Sequence, residues 1–134
     1  MKNDALILLG RVLIALLFLM TAWTFSPNPG YLGFLGYPAP AQLSWVAIIA
    51  EFLIVISLVF GAWTRQGAML GIIYVIIATV TAHRWWQYPE AQQLVQYINF
   101  TKNLAVLGGL ILVYVTEAGT YSVDHKWLGK LGSK

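Results

Sequence analysis

Four long apolar runs dominate the chain, and the polar residues between them form short punctuation rather than a second face. Runs close to the ~20 residues needed to cross a bilayer predict membrane spans at about 5–25, 43–63, 66–84 and 99–117. The expected fold class is therefore all-α: an integral membrane four-helix bundle, up-down and antiparallel, with residues 1–134 forming one domain. Only Thr64 and Arg65 separate the second and third runs, which predicts a tight hairpin. Between the first two runs lies "SPNPGYLGFLGYPAPAQ", residues 26–42, whose four prolines and three glycines exclude a continuous helix. It reads as an irregular loop lying in the interface or folded back over the bundle. The first run follows "MKND". It is longer than the apolar core of a secretory signal and is not closed by a small-x-small cleavage site, so it reads as a retained span.

Composition agrees with this pattern: 59% of the residues are hydrophobic and 10% charged, and the mean hydropathy is +0.71. Four crossings leave no room for a soluble catalytic domain. There is no cysteine, which excludes thiolate chemistry, disulfide exchange and cysteine-held metal clusters within this chain. The net charge of +3 arises from eight Lys and Arg against five acids. The basic residues sit near span ends rather than in a nucleic-acid-like patch.

Their placement predicts orientation. Lys2, Arg65, Lys126, Lys130 and Lys134 flank one side, whereas the first loop carries no charge. The chain is expected to lie N-in and C-in as a multi-pass protein of a bacterial-type inner membrane, although Arg84 and Lys102 fall on the opposite side. Trp23, Trp45, Trp85 and Trp86 then mark the outer interface and Trp63 and Trp127 the inner one, as an aromatic belt. Gly67 and Gly71, with Gly108 and Gly109, are small enough to permit close helix approach.

Ionisable residues inside a span cost about 2.5–3.5 kcal/mol near the bilayer centre, so each needs a reason. With alternating helix directions, Glu51, His83, Arg84, Lys102 and Asn103 all belong to the outer half. A polar cluster is expected there, with Glu51 pairing with Lys102 or Arg84. On the inner side, Arg65 with Asp124 and Arg11 with Glu117 are the expected structural ion pairs. The outer cluster admits two readings. In one, the charges neutralise each other and Arg84 snorkels with the tryptophans to the headgroups. In the other, Glu51 and His83 bind or relay protons to a quinone while Trp85, Trp86 and the first loop cover its ring. Metal and haem are not expected, because the two histidines, His83 and His125, fall on opposite faces.

Several stretches carry a resemblance: "GRVLIALLFL", "LGFLGYPAP", "AEFLIVISLVFGAWTR", "AHRWW" and "INFTKNLAVLGGLILVYVTEAGTYSVD". Together they resemble the DoxX family of small four-helix membrane proteins over about residues 10–124. "TAWTF" stands where that family commonly carries a glycine and a lysine. The resemblance implies that Arg11, Glu51, Arg65, His83, Lys102, Asn103 and Asp124 are its recurring polar positions. It further implies a quinone-linked redox system, in which the chain holds quinone at Glu51, His83, Lys102 and Asn103 or docks a redox partner on its outer face. Without a self-contained catalytic motif, the chain is at most a subunit of a quinone-linked oxidoreductase. The alternative is a non-catalytic accessory subunit packed against a larger respiratory or photosynthetic complex. A small transporter is a third option, and needs oligomers to build a path. Expected partners are the bilayer, other membrane subunits and a quinone, with no nucleic acid.

Overall fold

A computed structural model of the chain describes residues 2–25, 32–33 and 36–131. Among these residues the chain forms α1 (Lys2–Phe25), α2 (Pro40–Phe60), α3 (Thr64–Ala82), α4 (Glu90–Thr116) and α5 (Val123–Leu131), with a 3₁₀ turn over Trp85–Gln87 ahead of α4. No strand occurs among the described residues. The helices α1 to α4 are each long and apolar enough to cross a membrane, and they form the expected antiparallel bundle. The chain is an all-helical membrane protein.

Helix boundaries follow local chemistry more closely than the apolar runs do. The helix α2 starts at Pro40, earlier than the run suggests, because a proline in the first turn has no N–H to lose. It stops at Phe60, where Gly61 turns into the left-handed region at φ 63° and its N–H closes on the Ser57 carbonyl. The larger departure is α4. Residues 90–98, expected to lie in a loop, are helical: Pro89 caps the helix, Glu90 meets its positive end, and alanine, glutamine and leucine are good helix formers. At 1.5 Å per residue, the 27 residues of α4 reach about 40 Å. That exceeds the ~30 Å hydrocarbon core, so its first turns extend beyond it. The short helix α5 was not expected from the sequence.

The helix α2 packs chiefly on α1, and α3 on α4; the α2–α3 seam is less extensive, and α4 closes the ring against α1. Phe18, Ile54, Leu58, Val75 and Leu110 form the buried core. A Cβ at Gly67 would collide with the Ser57 hydroxyl, and one at Gly71 would come within 3.1 Å of Leu110. These glycines therefore bring α2, α3 and α4 together within the chain, Gly109 brings α4 against Ile14 of α1, and Gly108 faces open space. Large apolar side chains such as Leu13, Met20, Leu53, Ile73 and Leu112 point outward, as lipid contact requires. Two ends can be distinguished: a hairpin end, holding the turn between α2 and α3 together with α5, and a loop end, where α2 and α4 begin.

Candidate functional site

Glu51 lies near the middle of α2 and is 1% exposed. Its Oε1 accepts from the Tyr74 hydroxyl at 2.8 Å, and the Thr21 hydroxyl lies 2.7 Å from the same oxygen. Thr21 Oγ1 also stands 3.0 Å from the Phe18 carbonyl of its own helix. With a single proton, it serves one acceptor at a time. The Tyr74 ring is held edge-on to Phe18 at 6.0 Å, which fixes the direction of its hydroxyl. The other carboxylate oxygen, Oε2, is buried and has no protein partner.

Beside Glu51 a cavity of about 670 Å³ runs towards the loop end. Its wall is mostly apolar, supplied by α1, α2 and α3, with Leu32 and Tyr37 from the first loop. His83, Gln96, Lys102 and Asn103 line its mouth together with Tyr88. Four of the five residues expected in the outer polar cluster, Glu51, His83, Lys102 and Asn103, thus line one cavity, and Arg84 does not.

They do not bond to one another. His83 Nδ1 donates to Gln96 Oε1 at 2.8 Å. Asn103 Nδ2 donates to Thr79 Oγ1 at 3.0 Å, and Thr79 donates onward to the Val75 carbonyl. The exposed Lys102 ammonium reaches Asn99 on its own helix. The expected pairing of Glu51 with Lys102 or Arg84 does not form, since Glu51 is held by two neutral hydroxyls instead. Nor do Trp85 and Trp86 cover the cavity. Trp85 packs edge-on against Tyr97 at 5.5 Å, and Trp86 against Phe100 at 6.1 Å, on the outside of α4. The early start of α4 supplies Tyr97, and it also supplies Gln96.

At the hairpin end the expected ion pairs are exchanged. Arg65 pairs with Glu117 at 3.4 Å, both side chains about half exposed, and its guanidinium lies over the Tyr114 ring. Asp124 instead accepts from the backbone N–H groups of Trp63 and Thr64, each at 2.8 Å. It thereby caps the start of α3 from outside that helix. Arg11 is fully buried and donates through Nη2 to the Tyr121 carbonyl at 2.6 Å, with the Asp124 charge near enough to act on it. The cause is the path after α4: Glu117 and Gly119 both take positive φ, and the chain folds back to bring Asp124, rather than Glu117, across the bundle.

Sequence reasoning missed Thr21, Tyr74, Thr79 and Gln96. Thr21, Tyr74 and Thr79 were detectable as polar side chains interrupting apolar runs; Gln96 was not, because its segment was read as a loop. Among the described residues no group of three or more histidine and acidic side chains is placed to hold a metal ion.

The SURF4 family model matches residues 1–128. The chain is 29% identical over 128 residues to the inner membrane protein YphA of Escherichia coli, covering 92% of this chain and 91% of that protein. It is 28% identical over 133 residues to the E. coli inner membrane protein YqjF, covering 93% and 97%. It is also 32% identical over 130 residues to the ER-derived vesicles protein ERV29 of Saccharomyces cerevisiae, covering 93% of this chain but only 36% of ERV29. No solved structure matches. These matches overturn the DoxX resemblance, and with it the expected quinone-linked redox role and its alternative as an accessory of a respiratory or photosynthetic complex.

Proposed function

This chain belongs to the SURF4 family, and from that premise we propose that it is a membrane-embedded binding protein rather than an enzyme. Its site is the cavity beside Glu51. Its ligand is an amphiphile that brings an N–H or O–H donor to Glu51 Oε2 and fills the apolar wall with its body.

The observation that carries this reading is the unequal state of the two Glu51 oxygens. Oε1 takes up two hydroxyls, while Oε2 is buried with no partner beside about 670 Å³ of space. A buried acceptor left unmade costs about 1–3 kcal/mol, and more for a charged group. A donor arriving from the cavity removes that cost. The volume falls within the range of cavities that enclose drug-sized molecules. At the mouth the Gln96 amide and the Lys102 ammonium offer donors to the ligand's polar remainder, so an acceptor there completes the match.

The proposed orientation places the hairpin end, with Arg65 and Lys126, in the cytoplasm by the positive-inside rule. Both termini then lie inside, and the cavity opens towards the outer face of an inner membrane.

Native mass spectrometry of the full chain, extracted in mild detergent, tests the binding. Glu51→Gln keeps an oxygen for Thr21 and Tyr74 and places an amide where Oε2 stood, turning an acceptor into a donor. The expected result is loss of at least about tenfold in retained amphiphile, equivalent to ~1.4 kcal/mol, with the helical content unchanged. Equal retention by wild type and Glu51→Gln overturns the reading.

A further inference from the structure

We propose that the cavity is loaded sideways from the bilayer, through a gap between the loop-end halves of α2 and α3, and that its occupant is a single-tailed lipid whose hydroxyl or amine head reaches Glu51. This rests on the binding reading above, and adds to it a route and a ligand class.

The seam between α2 and α3 is closed at one end and open at the other. Near the hairpin, Gly67 lies so close to Ser57 that a Cβ there would collide with it, and a Cβ at Gly71 would stand 3.7 Å from Ile54, in van der Waals contact. Towards the loop end the facing positions are Ser44, Ala47, Ala50, Ala78 and Thr81, all of which line the cavity. Small side chains on both helices leave a slot where larger ones would interlock.

Two residues place that slot in lipid. Val46 and Ile77 line the cavity, yet they are 62% and 52% exposed. A side chain that faces both the cavity and the exterior marks a break in the wall. Val46 is about 9 Å along α2 from its start at Pro40, and Ile77 about 8 Å short of the end of α3 at Ala82. In helices that cross a hydrocarbon core, this depth meets acyl chains rather than water.

The mouth facing water is more obstructed. The Tyr88 hydroxyl donates to the Ala82 carbonyl at 2.8 Å, Gln93 holds the Tyr88 carbonyl, and His83 is tied to Gln96. These bonds anchor the 3₁₀ turn and the start of α4 over the end of α3, and Tyr37 stands at the same cavity.

The occupant follows from the lining. An apolar slot at membrane depth admits a hydrocarbon tail, and about 670 Å³ suits one tail rather than a two-tailed phospholipid. Oε2 requires a donor, which a glycerol hydroxyl or a primary amine supplies and a fatty acid anion does not.

The test uses the full chain in vesicles, mixed with vesicles carrying a monoacylglycerol that has a diazirine in its acyl tail, with photolabelling followed over time. The wild type should be labelled on α2 and α3 around the cavity, and Glu51→Gln should lose about tenfold of that labelling. Val46→Trp combined with Ile77→Trp, at the rim of the slot, should slow labelling about tenfold while leaving its final level unchanged. Gln92→Trp, in the first turn of α4 and lining the cavity beside the mouth residues, should leave the rate unchanged. Val46→Phe with Ile77→Phe repeats the rim test with less bulk if the tryptophan pair fails to insert. Labelling that depends on Glu51 but is slowed by Gln92→Trp and not by either rim pair overturns the route and leaves the binding reading standing. Failure of the monoacylglycerol to label the wild-type cavity overturns the proposed occupant, and labelling of that cavity at equal levels in wild type and Glu51→Gln overturns the binding reading itself.

Discussion

Among the described residues two ionisable side chains are almost completely buried, Arg11 at 0% exposure and Glu51 at 1%, and each keeps atoms without a protein partner: Nε and Nη1 of Arg11, and Oε2 of Glu51. What differs is the space beside them. A Cβ on Gly61 would strike the Arg11 guanidinium and Ser122 together, so Arg11 is walled in by backbone. Glu51 lines a cavity. Arg11 is also bound into a network in which Tyr121, Ser122 and Asp124 draw the chain after α4 against α1 and the α2–α3 turn, whereas Glu51 meets only two hydroxyls. A buried charge that fastens a fold is surrounded by groups that cannot leave. A buried charge that binds has one side open.

Removing the fastener should have the largest effect. Arg11→Ala takes away the bond to Tyr121, leaves a void under Gly61 and removes the positive charge near Asp124. Losing one partner of a buried charge costs about 3–5 kcal/mol, a loss that unfolding in mixed micelles would register. If Arg11→Ala unfolds like the wild type, the contrast between the two ends fails. Gly61→Ala ranks next, at about 2–4 kcal/mol. It combines a left-handed φ of 63° with a collision against Arg11 and Ser122, joining backbone strain to overpacking. Asp124→Ala follows at about 1–2 kcal/mol, because it uncaps α3 at Trp63 and Thr64. Hydrogen exchange should rise in the first turn of α3 ahead of its last turn, and uniform exchange along the helix would contradict the capping role.

Glu51→Leu probes the other side of the comparison. An apolar side chain of similar size removes an unmet acceptor but also leaves the Thr21 and Tyr74 hydroxyls without Oε1. The two effects oppose, so stability should change by less than about 1 kcal/mol while amphiphile retention is lost. A destabilisation as large as that of Arg11→Ala would make Glu51 a second fastener and remove the distinction.

How much of this was legible in the sequence depends on what each feature needs. The four spans needed only run length. The full burial of Arg11 was not read from the sequence, which placed it in an inner-side ion pair with Glu117; the grouping of Glu51, His83, Lys102 and Asn103 in one half of the bundle came from alternating helix directions. Contacts among them did not follow, because a bond depends on rotation about each helix axis. The nine residues of α4 from Glu90 to Ile98 were hidden because their helix-forming glutamines lower hydropathy as a loop would. With them went Gln96, the partner of His83, and Tyr97, the partner of Trp85. The exchange of acids at the hairpin end turned on positive φ at Glu117 and Gly119, two backbone angles that no spacing rule predicts for a glutamate.

That exchange yields the smallest prediction and the sharpest one. If Arg65 had met Asp124, its loss would have exposed the start of α3. As the chain folds, Arg65 meets Glu117 across 3.4 Å with both side chains about half exposed, and an exposed pair of this kind is worth about 0–1 kcal/mol. Arg65→Ala should therefore cost less than about 1 kcal/mol, part of it from the lost stacking on Tyr114, and high salt should remove most of the ionic share. A double-mutant cycle separates the pairings: Arg65 should couple weakly to Glu117 and not at all to Asp124. Coupling of Arg65 to Asp124 above that to Glu117 would restore the pairing expected from sequence and undo the folding-back of residues 117–124 on which the hairpin-end network depends.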